Sequence, residues 1–324
     1  MAANLIEPRQ FRLQRSELAV PATSEHFFEK AARGAADVIF LDLEDAVAPG
    51  RKLEGRKAAV AALNEIDWAG KTMAVRVNSL DSPWGVRDII EVADKCPRLD
   101  MILLPKVGSP SEVEFVDTLL TGLERDLGRE KQIGVEILIE SAMGLAHCEA
   151  IAAASPRLEA MIFGVGDYSV DLRSFDRVFG APNPAYSVLT DPDETGRRHR
   201  HWNDQWHYAL ARIVNACRAY GLRPIDGPFT DYKDPEAYLS IAGRAAALGF
   251  EGKWAIHPSQ VELANQVFTP AAEQVAWAER IAEAIAQAAA EGKGAVGVDG
   301  KLVDMAHEKL AHAILQRARA VAGR

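Results

Sequence analysis

Short apolar runs recur eight times along the chain, each followed by a longer stretch of helical patterning. The runs are SELAVP (16–21), DVIFLDLED (37–45), TMAVRVN (72–78), DMILLPK (100–106), VEILIES (135–141), MIFGVGD (161–167), LRPIDGP (222–228) and KWAIHP (253–258). An apolar run of this length, bounded by polar residues, is the pattern of a strand buried on both faces. Residues 24–33, 110–127, 202–220 and 235–248 set apolar side chains three and four apart behind a capping residue, which predicts helices. Strand and helix alternating to eight predicts a closed (β/α)₈ barrel, the TIM-barrel architecture. An open doubly wound sheet would carry a Gly-rich phosphate turn after its first strand, and AVPATS has none.

Two segments exceed a minimal barrel. Residues 169–201 are polar and rich in Pro, Gly and Arg, and a connection that long in a compact domain is usually functional. It follows the sixth run and is expected to hang over the barrel mouth. After residue 269, an Ala-rich amphipathic helix (270–291), the turn GKGAVGVDGKL and a second helix (about 303–321) fall outside the eightfold count. The expected organisation is a catalytic barrel over 1–269 and a helical segment over 270–324 that closes a site or packs on another subunit.

The formal net charge of -9 argues against a general nucleic-acid or membrane-surface binder, while leaving room for an anionic small ligand in a local basic pocket. Cys96, Cys148 and Cys217 form neither a zinc spacing nor a disulfide framework. The first 18 residues hold no apolar core long enough for a signal peptide, and no run approaches a membrane span. The expectation is a cytoplasmic protein.

The runs end on polar residues: Asp42, Glu44 and Asp45; Arg76 and Asn78; Lys106; Glu140; Asp167; Asp226; and His257. Ligands of parallel α/β folds bind at the carboxyl ends of the strands. Charges of both signs gathered on one rim are costly unless paired or bound to a ligand. Several belong to ion pairs on any reading, Asp42, Asp45 and Lys106 among them. Glu140 and Asp167 end adjacent runs with no Cys or His beside them, a donor set that suits a hard divalent ion such as Mg²⁺. Arg76 is suited to a carboxylate or an enolate oxygen, and otherwise to pairing with Glu44. Lys30 and Lys253 are candidates for phosphate. Gly164 and Gly166 flank Asp167 and allow a substrate to approach the backbone.

Taken together, RSELAVP, FLDLEDAVAP, AVRVNSLDSPW, DMILLPKVG, IGVEILIESAMG, FGVGDYS, YGLRPIDGPFTD, GFEGKWAIHPSQVELANQVFTP and GKLVDMA resemble, in order and over nearly the whole chain, the citrate lyase β-subunit (HpcH/HpaI aldolase) family. Within it they are most similar to the malyl-CoA and β-methylmalyl-CoA lyases. The resemblance implies a β/α barrel with a C-terminal lid, assembled as trimers or hexamers in which the lid reaches a neighbour's site. It implies Mg²⁺, with Mn²⁺ as a substitute, on Glu140 and Asp167, and a CoA thioester as substrate. Arg76 corresponds to the arginine on the thioester acyl oxygen, and Asp304 to a lid aspartate acting as general base. Gly166 lies beside the keto acid, Ile256 and His257 match a backbone segment along the CoA ester, and Lys30 matches a residue on a CoA phosphate. Ala19 and Ser24 stand where relatives have an aromatic and an arginine that contact CoA, and Ala181, Pro182 and Asn183 replace a Gly-Gly stretch.

The activity implied is reversible cleavage of (S)-malyl-CoA to acetyl-CoA and glyoxylate, with β-methylmalyl-CoA as a related substrate. Alternatives on the same fold are a malyl-CoA thioesterase, a citramalyl-CoA lyase and a CoA-independent aldolase for pyruvate-type donors. A non-catalytic subunit is the alternative from another class.

Overall fold

The computed structural model describes residues 10–174 and 177–323. Eight of its strands are β1 (Ser16–Pro21), β2 (Val38–Asp42), β3 (Thr72–Arg76), β4 (Met101–Leu104), β5 (Gly134–Ile139), β6 (Leu158–Phe163) and, after a hairpin of β7 (Ser187–Leu189) with β8 (Arg200–Trp202), β9 (Arg223–Asp226) and β10 (Gly252–Ala255). Those eight pair only in parallel and close in the order β1-β10-β9-β6-β5-β4-β3-β2. Each falls on one of the eight apolar runs. The (β/α)₈ barrel is therefore the fold.

Alternation along each strand fixes what faces inward. Val38, Phe40, Ala74, Met101, Leu103, Leu138, Ala160, Ile162, Ile225 and Trp254 pack together as one buried cluster, with Ala19 against it. Two residues beyond an inward Phe40, Ala74 or Leu138 the chain again points inward, and there stand Asp42, Arg76 and Glu140. The same parity corrects the expectation for Asp226. Its neighbour Ile225 is the inward residue, so Asp226 turns to the outer face. There its Oδ2 accepts from Lys253 Nζ at 2.6 Å, and Gly227 O accepts from the same amine at 2.7 Å. Lys253 is 1% exposed and lies over the Tyr238 ring, so it has no access to a phosphate.

Other expectations are also adjusted. The sixth strand stops at Phe163, so Asp167 belongs to the first turn of the helix Val165–Asp171 and not to a strand end. The helix expected over 202–220 starts at His207. Asp204 intercepts it: its Oδ1 accepts from Trp206 N and its carbonyl from His207 N, leaving Trp202 in β8. The long connection after β6 thus contains the β7–β8 hairpin, whose Trp202 lies under Arg244 of the helix Pro235–Leu248 at 4.6 Å.

The chain divides into two compact units between Asn265 and Gln266. In the C-terminal unit, the helices Ala272–Ala290 and Met305–Ala322 are joined by the hairpin β11 (Ala295–Val298) and β12 (Lys301–Asp304). Asp299 and Gly300 turn it with φ of 50° and 74°, the left-handed pair that a two-residue hairpin requires. Ala278, Ile281, Ile285, Val303, Ala311 and Leu315 form its apolar core. No helix among the described residues is long and apolar enough to cross a membrane. All three cysteines are buried and free, and burial pushes the Cys96 and Cys148 thiols up to about 12, away from thiolate chemistry.

Candidate active site

Arg76 leaves β3 into a cage of acids. Its Nε and Nη2 donate to the two oxygens of Asp42 at 2.7 and 2.6 Å, and Nη1 lies 3.0 Å from Glu44 Oε2. The guanidinium rests on the rings of Phe40 and Trp254, at 5.9 and 5.5 Å. Burial alone would lower its pKa, but the charges and hydrogen bonds of Asp42, then Glu44 and Asp45, more than offset this and raise it. Removing Asp42 would take away both of its side-chain hydrogen bonds and leave the buried cation to Glu44 and Asp45. The fork is not exhausted. Of the five N–H groups of an arginine, Asp42 takes two by hydrogen bond, while Nη1 faces Glu44 and, at 3.9 Å, Asp45 Oδ2 as ion pairs, so the fork keeps N–H groups for another oxygen.

Glu44 links that cage to the next strand. Its Oε1 accepts from Lys106 Nζ at 2.6 Å, and the same ammonium is 3.4 Å from Asp45 Oδ1 and 3.6 Å from Asp167 Oδ2. Burial raises the Glu44 pKa, opposed by Arg76 and Lys106. The backbone of the Glu44 loop is itself pinned: Lys52, buried under Trp84, donates to the carbonyls of Leu43 and Glu44 at 2.9 and 2.6 Å.

Glu140 follows β5 and is 5% exposed. Its Oε1 accepts the Lys106 backbone N–H at 2.6 Å, whereas Oε2 has no hydrogen-bond partner among the described residues. Burial first, then the charges of Glu44 and Asp167, push its carboxyl up to about 8. Gly164 explains how Glu140 fits: a Cβ there would lie 2.4 Å from Glu140 Cβ and 2.6 Å from its Oε2. The space expected for a substrate at Gly164 is therefore filled by Glu140 itself, and at Gly166 an added Cβ would meet the Phe179 ring at 3.4 Å. Asp167 is half-buried one helical turn past Gly164, with its carboxylate toward Lys106.

Glu140 and Asp167 thus lie close enough for the charge of one to raise the other. No group of three or more His, Cys, Asp or Glu side chains gathers as a full metal cage among the described residues. The arrangement fits Mg²⁺ nonetheless, because that ion is usually held by one or two carboxylates and keeps the rest of its shell as water or ligand oxygen. A buried carboxylate with one free oxygen beside a second acid is the donor set such an ion repays.

The remaining expected site residues are more scattered. Ala19 sits half-buried in β1, Ser24 gives its N–H to Pro21 O, and Lys30 is exposed in the helix Phe28–Arg33. Ile256 donates its N–H to Gln260 Oε1 at 2.9 Å, so that amide is already engaged. His257 is exposed, stacked on Tyr232 with ring centroids 4.6 Å apart. Asn78 is structural, donating from its side chain and backbone to Asp88. Asp304 caps the helix Met305–Ala322 in the C-terminal unit, accepting from Ala306 N, and its hydrogen bond with His307 lowers its pKa. Lys106 was read from the sequence only as an ion-pair partner. One signal for a larger role is visible only in three dimensions: φ of +56° at a non-glycine residue.

Residues 15–258 match the family model HpcH/HpaI aldolase/citrate lyase. The chain is 44% identical over 322 residues to the L-malyl-CoA/beta-methylmalyl-CoA lyase of Cereibacter sphaeroides, covering 99% of each. It is 46% identical over 312 residues to the enzyme of the same name from Rhodobacter capsulatus, covering 96% of each. A solved structure of the protein CitE from Mycobacterium tuberculosis, in complex with magnesium, acetoacetate and coenzyme A, is 27% identical with a TM-score of 0.69. That match covers 95% of this chain and 98% of the other. A barrel whose mouth pairs Glu140 with Asp167 beside a caged arginine, matched along its length in this way, belongs to the HpcH/HpaI aldolase/citrate lyase family.

Proposed function

We propose that the chain is a Mg²⁺-dependent carbon–carbon lyase of CoA esters, reversibly cleaving (S)-malyl-CoA to acetyl-CoA and glyoxylate. β-Methylmalyl-CoA would give propionyl-CoA and glyoxylate by the same route. The observation that carries this reading is Glu140: a buried carboxylate with one oxygen free, beside Asp167, in a chain 44–46% identical to lyases of that name.

Glu140 and Asp167 would hold the cation, which when bound supplies Lewis-acid polarisation of the oxygens of the 2-oxoacid. Arg76 offers the N–H groups that Asp42 does not take to the thioester oxygen, where negative charge collects as the C–C bond breaks and an enolate forms. Asp42 and Glu44 keep that guanidinium aimed, because a fork held on two sides cannot rotate away. In condensation the ionised Asp304 takes a proton from the methyl group; in cleavage, having taken up the proton that the hydroxyl oxygen releases, it returns it to the enolate carbon. The net reaction moves one proton from the hydroxyl oxygen to carbon. A base on a segment that closes over the site also keeps water from the enolate. In this reading the C-terminal unit is a lid, and it serves a neighbouring protomer of a trimer or hexamer. Lys30, Ser24, Ala19, Ile256, His257 and Gly166 would border the CoA ester and keto acid, with a weaker phosphate grip than an arginine at position 24 would give.

The test is a panel of CoA thioesters incubated with Mg²⁺ while glyoxylate is trapped. Malyl-CoA should yield trapped glyoxylate and acetyl-CoA, and chelator should stop the reaction. Free malate and CoA without glyoxylate would identify a thioesterase and overturn the lyase reading.

A further inference from the structure

One residue touches both candidate cation ligands. Lys106 gives its backbone N–H to Glu140 Oε1 at 2.6 Å and points its ammonium at Asp167 Oδ2 from 3.6 Å. Its backbone adopts φ of +56°, a left-handed conformation that disfavours a residue with a Cβ. The surroundings hold it there. The following turn is packed on the helix Ala142–Ala146, where Val107 O would lie 2.4 Å from a Cβ at Gly144 and His147 Nδ1 meets Gly108 O at 2.8 Å. The ammonium is anchored by Glu44 and shared with Asp45. Burial works against its charge, but those acids together with Asp167 keep it firmly protonated.

We propose that the Lys106 ammonium is a built-in counter-ion of the cation site, occupying Asp167 electrostatically until a divalent ion displaces it. This rests on the assignment of Glu140 and Asp167 as the ligands. A positive charge at this distance opposes the entry of a second cation, so the site is held together in the free protein but binds its metal weakly. On metal entry Lys106 withdraws to Glu44 and Asp45, where it already has partners, and the backbone N–H continues to orient Glu140. Cation occupancy then depends on a ligand that brings its own negative charge, such as the carboxylate of a 2-oxoacid.

Direct Mn²⁺ binding to the protein, followed by electron paramagnetic resonance of the free ion, tests this without relying on turnover. Lys106→Met keeps the backbone donor and removes the charge, and should bind Mn²⁺ roughly tenfold tighter than the parent. Lys106→Arg keeps a charge and should stay within about threefold of the parent. Equal or weaker binding by Lys106→Met, or equal tightening by both variants, would overturn the counter-ion role. Glu140→Gln separates this outcome from failure of the metal assignment: if it binds Mn²⁺ as well as the parent, the ligand assignment itself falls. Circular dichroism establishes that each variant is folded.

Discussion

Gly164 illustrates how closely one residue can constrain chemistry without taking part in it. Its missing side chain is where Glu140 lies, so Gly164→Ala must push a Cβ into a carboxylate that the Lys106 amide holds from the other side. We expect that substitution to leave the barrel folded, since the strain falls on one side chain at the mouth. It should weaken Mn²⁺ binding and Mg²⁺-dependent turnover by at least about tenfold, the scale on which disturbing the support of a metal ligand is usually felt. Titration of Mn²⁺ against the variant checks this, and unchanged affinity would show that Glu140 is not held by that contact. The sequence singles out Glu140 and Asp167 as candidates because acids that end apolar runs have no packing role. It could not give the role of Gly164, because the atom that excludes a Cβ comes from a different strand. Lys106 was obscured for a related reason: Pro105-Lys106-Val107-Gly108 gives no local sign that the lysine is left-handed.

Among the elements, the strands were the most legible part. A strand buried on both faces must be apolar almost throughout, and eight such runs leave few alternatives. The exceptions sit inside the barrel. Glu17 of β1 and Glu136 of β5 are both fully buried, and Gln14 Nε2 donates to each at 3.0 and 2.7 Å. Arg223 lies 3.9 Å from Glu136 but is committed to Glu159 at 2.9 Å, and Trp254 also faces Glu17. Burial and then the charge of Glu136 push the Glu17 carboxyl well above the usual carboxylate range, and burial raises Glu136 as well. The folded protein therefore retains a proton that the unfolded chain releases above about 4.5. Stability from this pair is fully present below that value and falls as pH rises toward the raised folded pKa. Glu17→Gln carries the equivalent of that proton permanently, so its melting temperature should decline less as pH rises above about 4.5. Parallel melting curves across pH would mean that the pair holds no proton. The β7–β8 hairpin was illegible on opposite grounds: its strands are three residues each and mostly exposed, so no burial pattern marks them. The β11–β12 hairpin did carry a signal, Asp299-Gly300 between alternating apolar residues, which reads as a bare turn unless the left-handed pair is recognised.

For the molecule as a whole, the proposed base lies in a different compact unit from the proposed metal ligands and the arginine. Asp304 is exposed, and among the described residues its carboxylate is engaged with Ala306 N and His307, which hold its pKa low and favour the ionised form that a proton acceptor needs. Asp304→Asn should leave Mn²⁺ and CoA binding intact and cut turnover by about 10²–10⁴, the range for a lost general base. That result alone would not say whose barrel the C-terminal unit serves if it acts as the proposed lid. Mixing does. Glu140→Gln inactivates a barrel but keeps its lid, and Asp304→Asn inactivates a lid but keeps its barrel. If each lid serves its own chain, subunits exchanged between the two variants still carry one defect per site, and no activity returns. If each lid serves a neighbour, equal mixing leaves an intact barrel beside an intact lid at about a quarter of the sites, given random assembly into a closed ring. Recovery of glyoxylate release on mixing and co-refolding two inactive preparations would thus establish that the active unit is an oligomer. Its absence, with exchange demonstrated by differently tagged chains, would confine Asp304 to its own barrel or remove it from the reaction.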